Sequence, residues 1–248
     1  MEVVKFGQNA CTLRCFVAVG LLQASIVSWR AAAEELPPPP YFISDSEAVV
    51  VGISYDESRI KTMAPAGLPM APGATGQIVM YTSGENYGLP PYSSSFMGLD
   101  IDGYDGPGGS KARWMLTGLY SPASVSDALA RYFDYPTREG VTRIQRDGQR
   151  VTAVGTMDGR EMIRAEIMLK AEPCQRGPGL IHELTRKSSG SIQLIKIPYV
   201  ADWCAAESAK VEITAPKGDP FGQLNPVTVL WAGYFHGGFG WSPPTNAR

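Results

Sequence analysis

The sequence predicts a mainly β fold of the α+β kind, a closed or nearly closed antiparallel barrel with one well-defined helix. Three observations lead there. Twenty-seven Gly and twenty Pro among 248 residues require many turns, which suits a β-rich chain better than a helical bundle. About ten short segments have the alternating or β-branched apolar character of strands. A single stretch has strong helical periodicity.

The strands follow in chain order. Val49 to Tyr55, Gln77 to Tyr81, Ser95 to Ile101 and Arg113 to Leu119 are apolar runs separated by turn-rich loops. The helix spans Ser124 to Asp134. Its apolar residues Val125, Ala128, Leu129, Tyr132 and Phe133 fall on one helical face. Ser124 is the expected N-cap, with Asp127 completing a capping-box pattern. Pro136 stops the helix and biases Tyr135 toward an extended backbone. Asp147-Gly148 and Asp158-Gly159 read as hairpin turns. Between Arg160 and Lys170 the residues alternate: Ile163, Ala165, Ile167 and Leu169 share one face, and Arg164 and Glu166 share the other. Ser191 to Ile197, Lys210 to Thr214 and Val227 to Phe235 complete the set. Closure into a barrel would remove exposed strand edges.

Residues 1–33 read as a signal peptide. A weakly basic lead holds Lys5 and Arg14, an apolar run starts at Phe16, and Ala31-Ala32-Ala33 offers a small-residue cleavage site. The run is too short and diluted for a stable membrane anchor. A single barrel domain is then expected over 34–248, secreted or periplasmic. Cys174 and Cys204 would remain after cleavage, either as a disulfide or as two buried thiols. The net charge of −2 gives no electrostatic case for nucleic acid. His182 and His236 lack metal-ligand spacing, so no metal and no cofactor are expected. No nucleophile elbow or nucleotide-binding loop is present either.

Several segments, taken in order, resemble the acetoacetate decarboxylase family. Pro65-Ala66-Gly67-Leu68-Pro69 is similar to its Leu-Pro-x-Gly-Leu connection, and Tyr92 to Phe96 is similar to its Tyr-x-Glu strand entry. The helix followed by Tyr135-Pro136-Thr137-Arg138 is similar to its Phe-Pro-Lys-Lys element. Leu194 to Pro198 and the run from Pro226 to Trp241 fall in the family's order. The resemblance spans roughly 37–241, judged by segment order. It implies a cone-like barrel with an internal pocket, a small oxo-acid or carbonyl ligand, and a homo-oligomer.

The family's chemistry depends on a lysine of depressed pKa whose amine forms an imine with a ketone. On this sequence that lysine falls on Thr137 and its cationic neighbour on Arg138. The family's glutamate falls near Ser94, and its N-terminal arginine has no equivalent before Tyr41. Threonine cannot form an imine, and a guanidinium stays protonated. The resemblance therefore implies decarboxylation, dehydration or hydrolysis by a route without a Schiff base, or a binding barrel that has lost catalysis. Arg138 and Glu139 are the expected catalytic pair, for anion binding and proton transfer. Thr137, Ser94, Tyr92 and Tyr87 are the expected substrate-binding residues. Of the remaining lysines, Lys111, Lys170 and Lys196 are the other imine candidates, with Lys196 in the most apolar surroundings. A barrel filled solid with apolar side chains is the structural alternative.

Overall fold

The structure is a computed structural model describing residues 35–187 and 189–247. The expected signal peptide lies outside the described residues. β1 (Tyr41–Tyr55) leads through Asp56 into α1 (Glu57–Met63). Sequence patterning missed this short helix. Its start is written in Asp56, whose carboxylate accepts from the N–H groups of Ser58 and Arg59 at 2.9 and 3.3 Å. β2 (Thr75–Ser83), the two-residue β3 (Asn86–Tyr87), β4 (Ser93–Ile101) and β5 (Ala112–Ser121) follow. β4 is buried from end to end, because it is covered on both faces.

The predicted helix is α2 (Ala123–Phe133), with Val125, Ala128, Leu129 and Phe133 buried as expected. Its start differs. Pro122 occupies the cap position without a side-chain cap, and Ser124 lies inside the first turn, so the capping box does not form. Asp134 ends it in the left-handed conformation, at φ 53°. β6 (Thr137–Glu139), β7 (Val141–Asp147), β8 (Arg150–Met157) and β9 (Arg160–Leu169) come next. The β8–β9 turn is Asp158-Gly159, both residues at positive φ (51° and 72°), which explains the Asp-Gly pair. The β7–β8 turn is displaced by one residue, to Gly148-Gln149, with Gly148 supplying the positive φ of 60°.

β10 (Gln175–Arg186), the long β11 (Ile192–Ile213), α3 (Pro220–Gln223), β12 (Val227–Trp241) and β13 (Thr245–Asn246) complete the chain. β10 and the middle of β11 are strands that sequence patterning missed. Gly177-Pro178-Gly179 and Pro198 to Asp202 look like turns but are paired strand, with Pro178 opposite Val200 and Leu180 opposite Pro198. Pro178 lies beyond the short β5 pairing and Pro198 just before the β12 pairing begins, so neither missing N–H interrupts a second ladder.

The strands form one 13-stranded, ring-like sheet. β10, β5, β4, β2, β1, β12 and β11 follow one another, and β11 returns to β10. The sheet is mixed rather than wholly antiparallel, because β5 runs parallel to both β6 and β10. The β10–β5 seam is short: Glu183 opposite Arg113 and Leu184 opposite Trp114. Beyond the ring, the second half of β11 continues into β9, β8 and β7.

Two cores result from the two faces of the ring strands. Val49, Val51, Ile53, Ile78 and Leu99 face outward onto Val151, Ala153, Ile163 and Ala165 of the β7–β9 extension. Inward residues Tyr41, Tyr81, Phe96, Ile197 and Trp241 share the second core with Val125, Leu129 and Phe133 of α2. The interior is therefore plugged by α2 on one side rather than filled throughout. Cys174 and Cys204 are joined by a disulfide, with Cα atoms 4.3 Å apart, which extends the β10–β11 register past Gln175 and Trp203.

Candidate functional site

The ring encloses a cavity of about 540 Å³. Strand periodicity builds its wall: Ala48 and Val50 of β1, Gln77, Val79 and Tyr81 of β2, and Ile197, Tyr199, Ala201 and Trp203 of β11 all point inward. Phe235, Phe239 and Trp241 of β12 add aromatic surface. The exposed Arg176 borders this apolar chamber, and two buried charged side chains, Arg113 and Glu183, project into it. They face each other across the β10–β5 seam and are 6% and 5% exposed.

Arg113 is incompletely satisfied. Its Nε has no hydrogen-bond partner and stands 3.8 Å from Oδ1 of Asp100, which also lacks one. That separation is an ion pair but too long for a hydrogen bond. The other oxygen of Asp100 accepts from the Thr75 hydroxyl at 2.9 Å. Gly98 makes room for the arginine stem: a Cβ there would lie 2.6 Å from its Cγ and Cδ. A buried guanidinium with spare donors is a ready carboxylate site.

Glu183 accepts a hydrogen bond from the Tyr135 hydroxyl. Burial pushes its carboxyl above the usual carboxylate range, with the Tyr135 bond and the Arg113 charge opposing in part. Tyr135 is itself buried, and its phenol is pushed well above its ordinary value by the same desolvation and by the carboxylate. Tyr135 is held by stacking on Phe133, with ring centroids 5.4 Å apart. The arrangement supplies a fixed cation beside an acid able to retain and donate a proton. Among the described residues no group of three or more His, Cys, Asp and Glu is placed to hold a metal.

The raised Glu183 pKa has a definite sign in stability. Above about pH 4.5 the unfolded chain has lost this proton while the folded chain keeps it. The stabilising contribution is therefore complete below that pH and is lost as pH rises through the folded value. Glu183→Gln should remove this slope, so that melts from acid to neutral pH gain most in the variant at the neutral end. The same pH dependence in both proteins would show that Glu183 titrates normally.

The expected site residues lie elsewhere. Arg138 makes a two-pronged ion pair with Asp219, at 2.5 and 3.1 Å, and covers the Phe221 ring at 5.7 Å. Glu139 is exposed on β6, and the Thr137 hydroxyl donates to the Ser126 carbonyl at 2.8 Å. Ser94 is fully buried without a hydrogen-bond partner. Tyr92 is buried behind the cavity wall and accepts from Tyr81 at 2.9 Å. Tyr87 is 70% exposed and packs on Phe42. None of these six lines the cavity. Tyr135, the partner of Glu183, opens the Tyr135 to Arg138 segment singled out in the sequence, which therefore touches the site through its first residue.

No lysine among the described residues lines the cavity. Lys111 is tied to Asp102 and Asp105 at 2.5 and 2.9 Å, and Lys170 and Lys196 are exposed. Arg164 pairs with Glu161 and Glu166 on the outer face, away from the cavity. Sequence patterning did not single out Arg113 or Glu183 as candidates. A signal existed for Arg113, a charge within the apolar run Ala112 to Leu119. Glu183 had none, because its strand was not recognised.

No protein-family model matches the chain, and no curated protein matches it. Solved structures do. An acetoacetate decarboxylase matches with a TM-score of 0.68 at 12% identity, over 90% of this chain and 96% of that one. The acetoacetate decarboxylase of Legionella pneumophila matches with a TM-score of 0.68 at 10% identity, over 86% and 89%. The enduracididine biosynthesis enzyme MppR, in complex with pyruvate, matches with a TM-score of 0.68 at 15% identity, over 87% and 93%.

Proposed function

We propose, starting from the acetoacetate decarboxylase-like fold of this chain, that it acts on an oxo-acid without forming an imine. Arg113, rather than Arg138, holds the carboxylate, and Glu183 moves the proton. The observation that carries this reading is the buried Arg113–Glu183 pair at the ring seam, in a cavity that no lysine among the described residues lines. The pyruvate complex of MppR supports an oxo-acid as the ligand class.

The geometry favours one kind of step. Arg113 stabilises the bound carboxylate as an anion, which opposes its conversion to neutral CO₂. Enolisation or dehydration is thus favoured over loss of the carboxylate that Arg113 holds. Protonated Glu183 gives its proton to the carbonyl oxygen while water in the cavity takes one from the adjacent carbon. Reversal returns both protons.

The test is pyruvate in deuterated water, followed by proton NMR. Wild-type protein should exchange the methyl protons, Glu183→Gln should slow exchange at least about 10-fold, and borohydride should trap no adduct. A borohydride-reduced lysine adduct would restore the imine route. Binding without exchange would favour the non-catalytic barrel.

The Cys174–Cys204 bridge and the N-terminal signal-like segment together support an exported protein. The bridge closes a 30-residue separation, worth roughly 3–4 kcal/mol in the loop-entropy account. A double Cys→Ser variant should lose about that much in urea unfolding at Cys174 and Cys204, and non-reducing mass analysis should find both thiols blocked. Free thiols in protein recovered from outside the cytoplasm would count against the reading.

A further inference from the structure

The cavity is larger and more aromatic than a pyruvate-sized acid requires. Its volume of about 540 Å³ lies well inside the range that encloses drug-sized ligands, roughly 300–1,000 Å³. The excess space is lined by rings. Trp203 and Trp231 meet at 6.0 Å with planes 69° apart, and Tyr199 meets Phe235 at 5.8 Å and 62°. Trp231 remains 44% exposed despite that contact, so part of its indole surface is available to a ligand.

The backbone beneath these rings has been cleared. A Cβ at Gly52 would stand 2.1 Å from the Trp231 ring, one at Gly179 would stand 2.2 Å from Tyr199, and one at Gly233 would stand 2.3 Å from Trp203. Three inward glycines on three strands thus let three rings lie close against the wall. Their far faces are left to the cavity, as a lining for a flat apolar group.

A buried charge supplies the anchor. Arg113 is nine-tenths buried with an orphaned Nε, while Arg176, the other arginine of the lining, is exposed and paired with Asp202 at 3.1 Å. The chamber therefore offers one buried cationic anchor and an aromatic wall whose own arginine, Arg176, is already paired with Asp202.

We infer that the ligand is an aryl-bearing oxo-acid, with its carboxylate at Arg113 and its ring between Tyr199, Trp203, Trp231 and Phe235. This rests on the oxo-acid reading of the same cavity and adds the class of side group.

Calorimetric titration of the full protein with pyruvate and with phenylpyruvate tests it. Phenylpyruvate should bind at least about 10-fold more tightly, from ring burial and ring–ring contact. It should also quench tryptophan fluorescence, which pyruvate should not. A Trp203→Leu/Trp231→Leu variant should lose that advantage and keep its pyruvate affinity. Equal affinity of wild-type protein for the two acids, or a phenylpyruvate advantage that survives in the variant, would overturn the aryl assignment and leave the oxo-acid reading standing. If neither acid binds, or if Arg113→Met binds both as wild type does, the oxo-acid reading itself falls and this inference with it. The fluorescence comparison needs no variant, so misfolding of the double substitution would not shelter the proposal.

Discussion

Arg113→Met should abolish carboxylate binding while leaving the fold intact. Truncating one partner of a desolvated, hydrogen-bonded charge pair costs about 2–5 kcal/mol, or roughly 30- to 4,000-fold in affinity. Methionine suits the site because the arginine stem already fills the space above Gly98. Asp100 loses its neighbouring cation but keeps its hydrogen bond from Thr75. Arg113→Lys should give an intermediate loss, since an ammonium keeps the charge without the planar fork. Calorimetry with phenylpyruvate and pyruvate measures the effect, and a thermal melt of each variant separates it from unfolding. Affinity unchanged in Arg113→Met would remove the anchor from the proposed site.

Phe133→Ala should be the most damaging single change to the scaffold, by about 3–5 kcal/mol. Phe133 is fully buried at the end of α2 and contacts Tyr41, Tyr135 and Trp241, with ring centroids 6.0, 5.4 and 6.0 Å away. Its carbonyl also accepts from the Thr185 hydroxyl on β10. Through its ring, Phe133 couples the helix plug to Trp241 of the cavity wall and to Tyr135, the partner of Glu183. Loss of the ring should also free Tyr135, so proton exchange on pyruvate should fall even at temperatures where the variant stays folded. Chemical denaturation measures the first effect and NMR exchange the second. A loss below about 1 kcal/mol would mean that the site collapses around the gap.

The elements that local patterning made legible are those whose signals are contained within a few residues. β9 alternates without interruption, α2 repeats at helical spacing, and Asp158-Gly159 names its own turn. β10 was hidden because Gly177-Pro178-Gly179 has turn composition, and only the pairing with β11 converts it to strand. The candidate site was hidden for a related reason. Arg113 and Glu183 become neighbours through a parallel pairing between strands separated by α2 and four further strands, β6 to β9. The family-like segment at Tyr135 to Arg138 led to the correct fold and lies at the edge of the candidate cavity. Its own charged residue was drawn away by Asp219, a partner 81 positions along the chain.

The short seam between β10 and β5 gives a bound acid a mechanical task. Only two residue pairs join these strands, and the first of them is Glu183 with Arg113. A molecule gripped by both side chains would brace the joint from within, as a keystone braces an arch. Its binding energy would add directly to the work needed to open the ring. Occupancy of the chamber and integrity of the sheet would then be read by the same measurement, the rate at which amide hydrogens along the seam exchange with solvent.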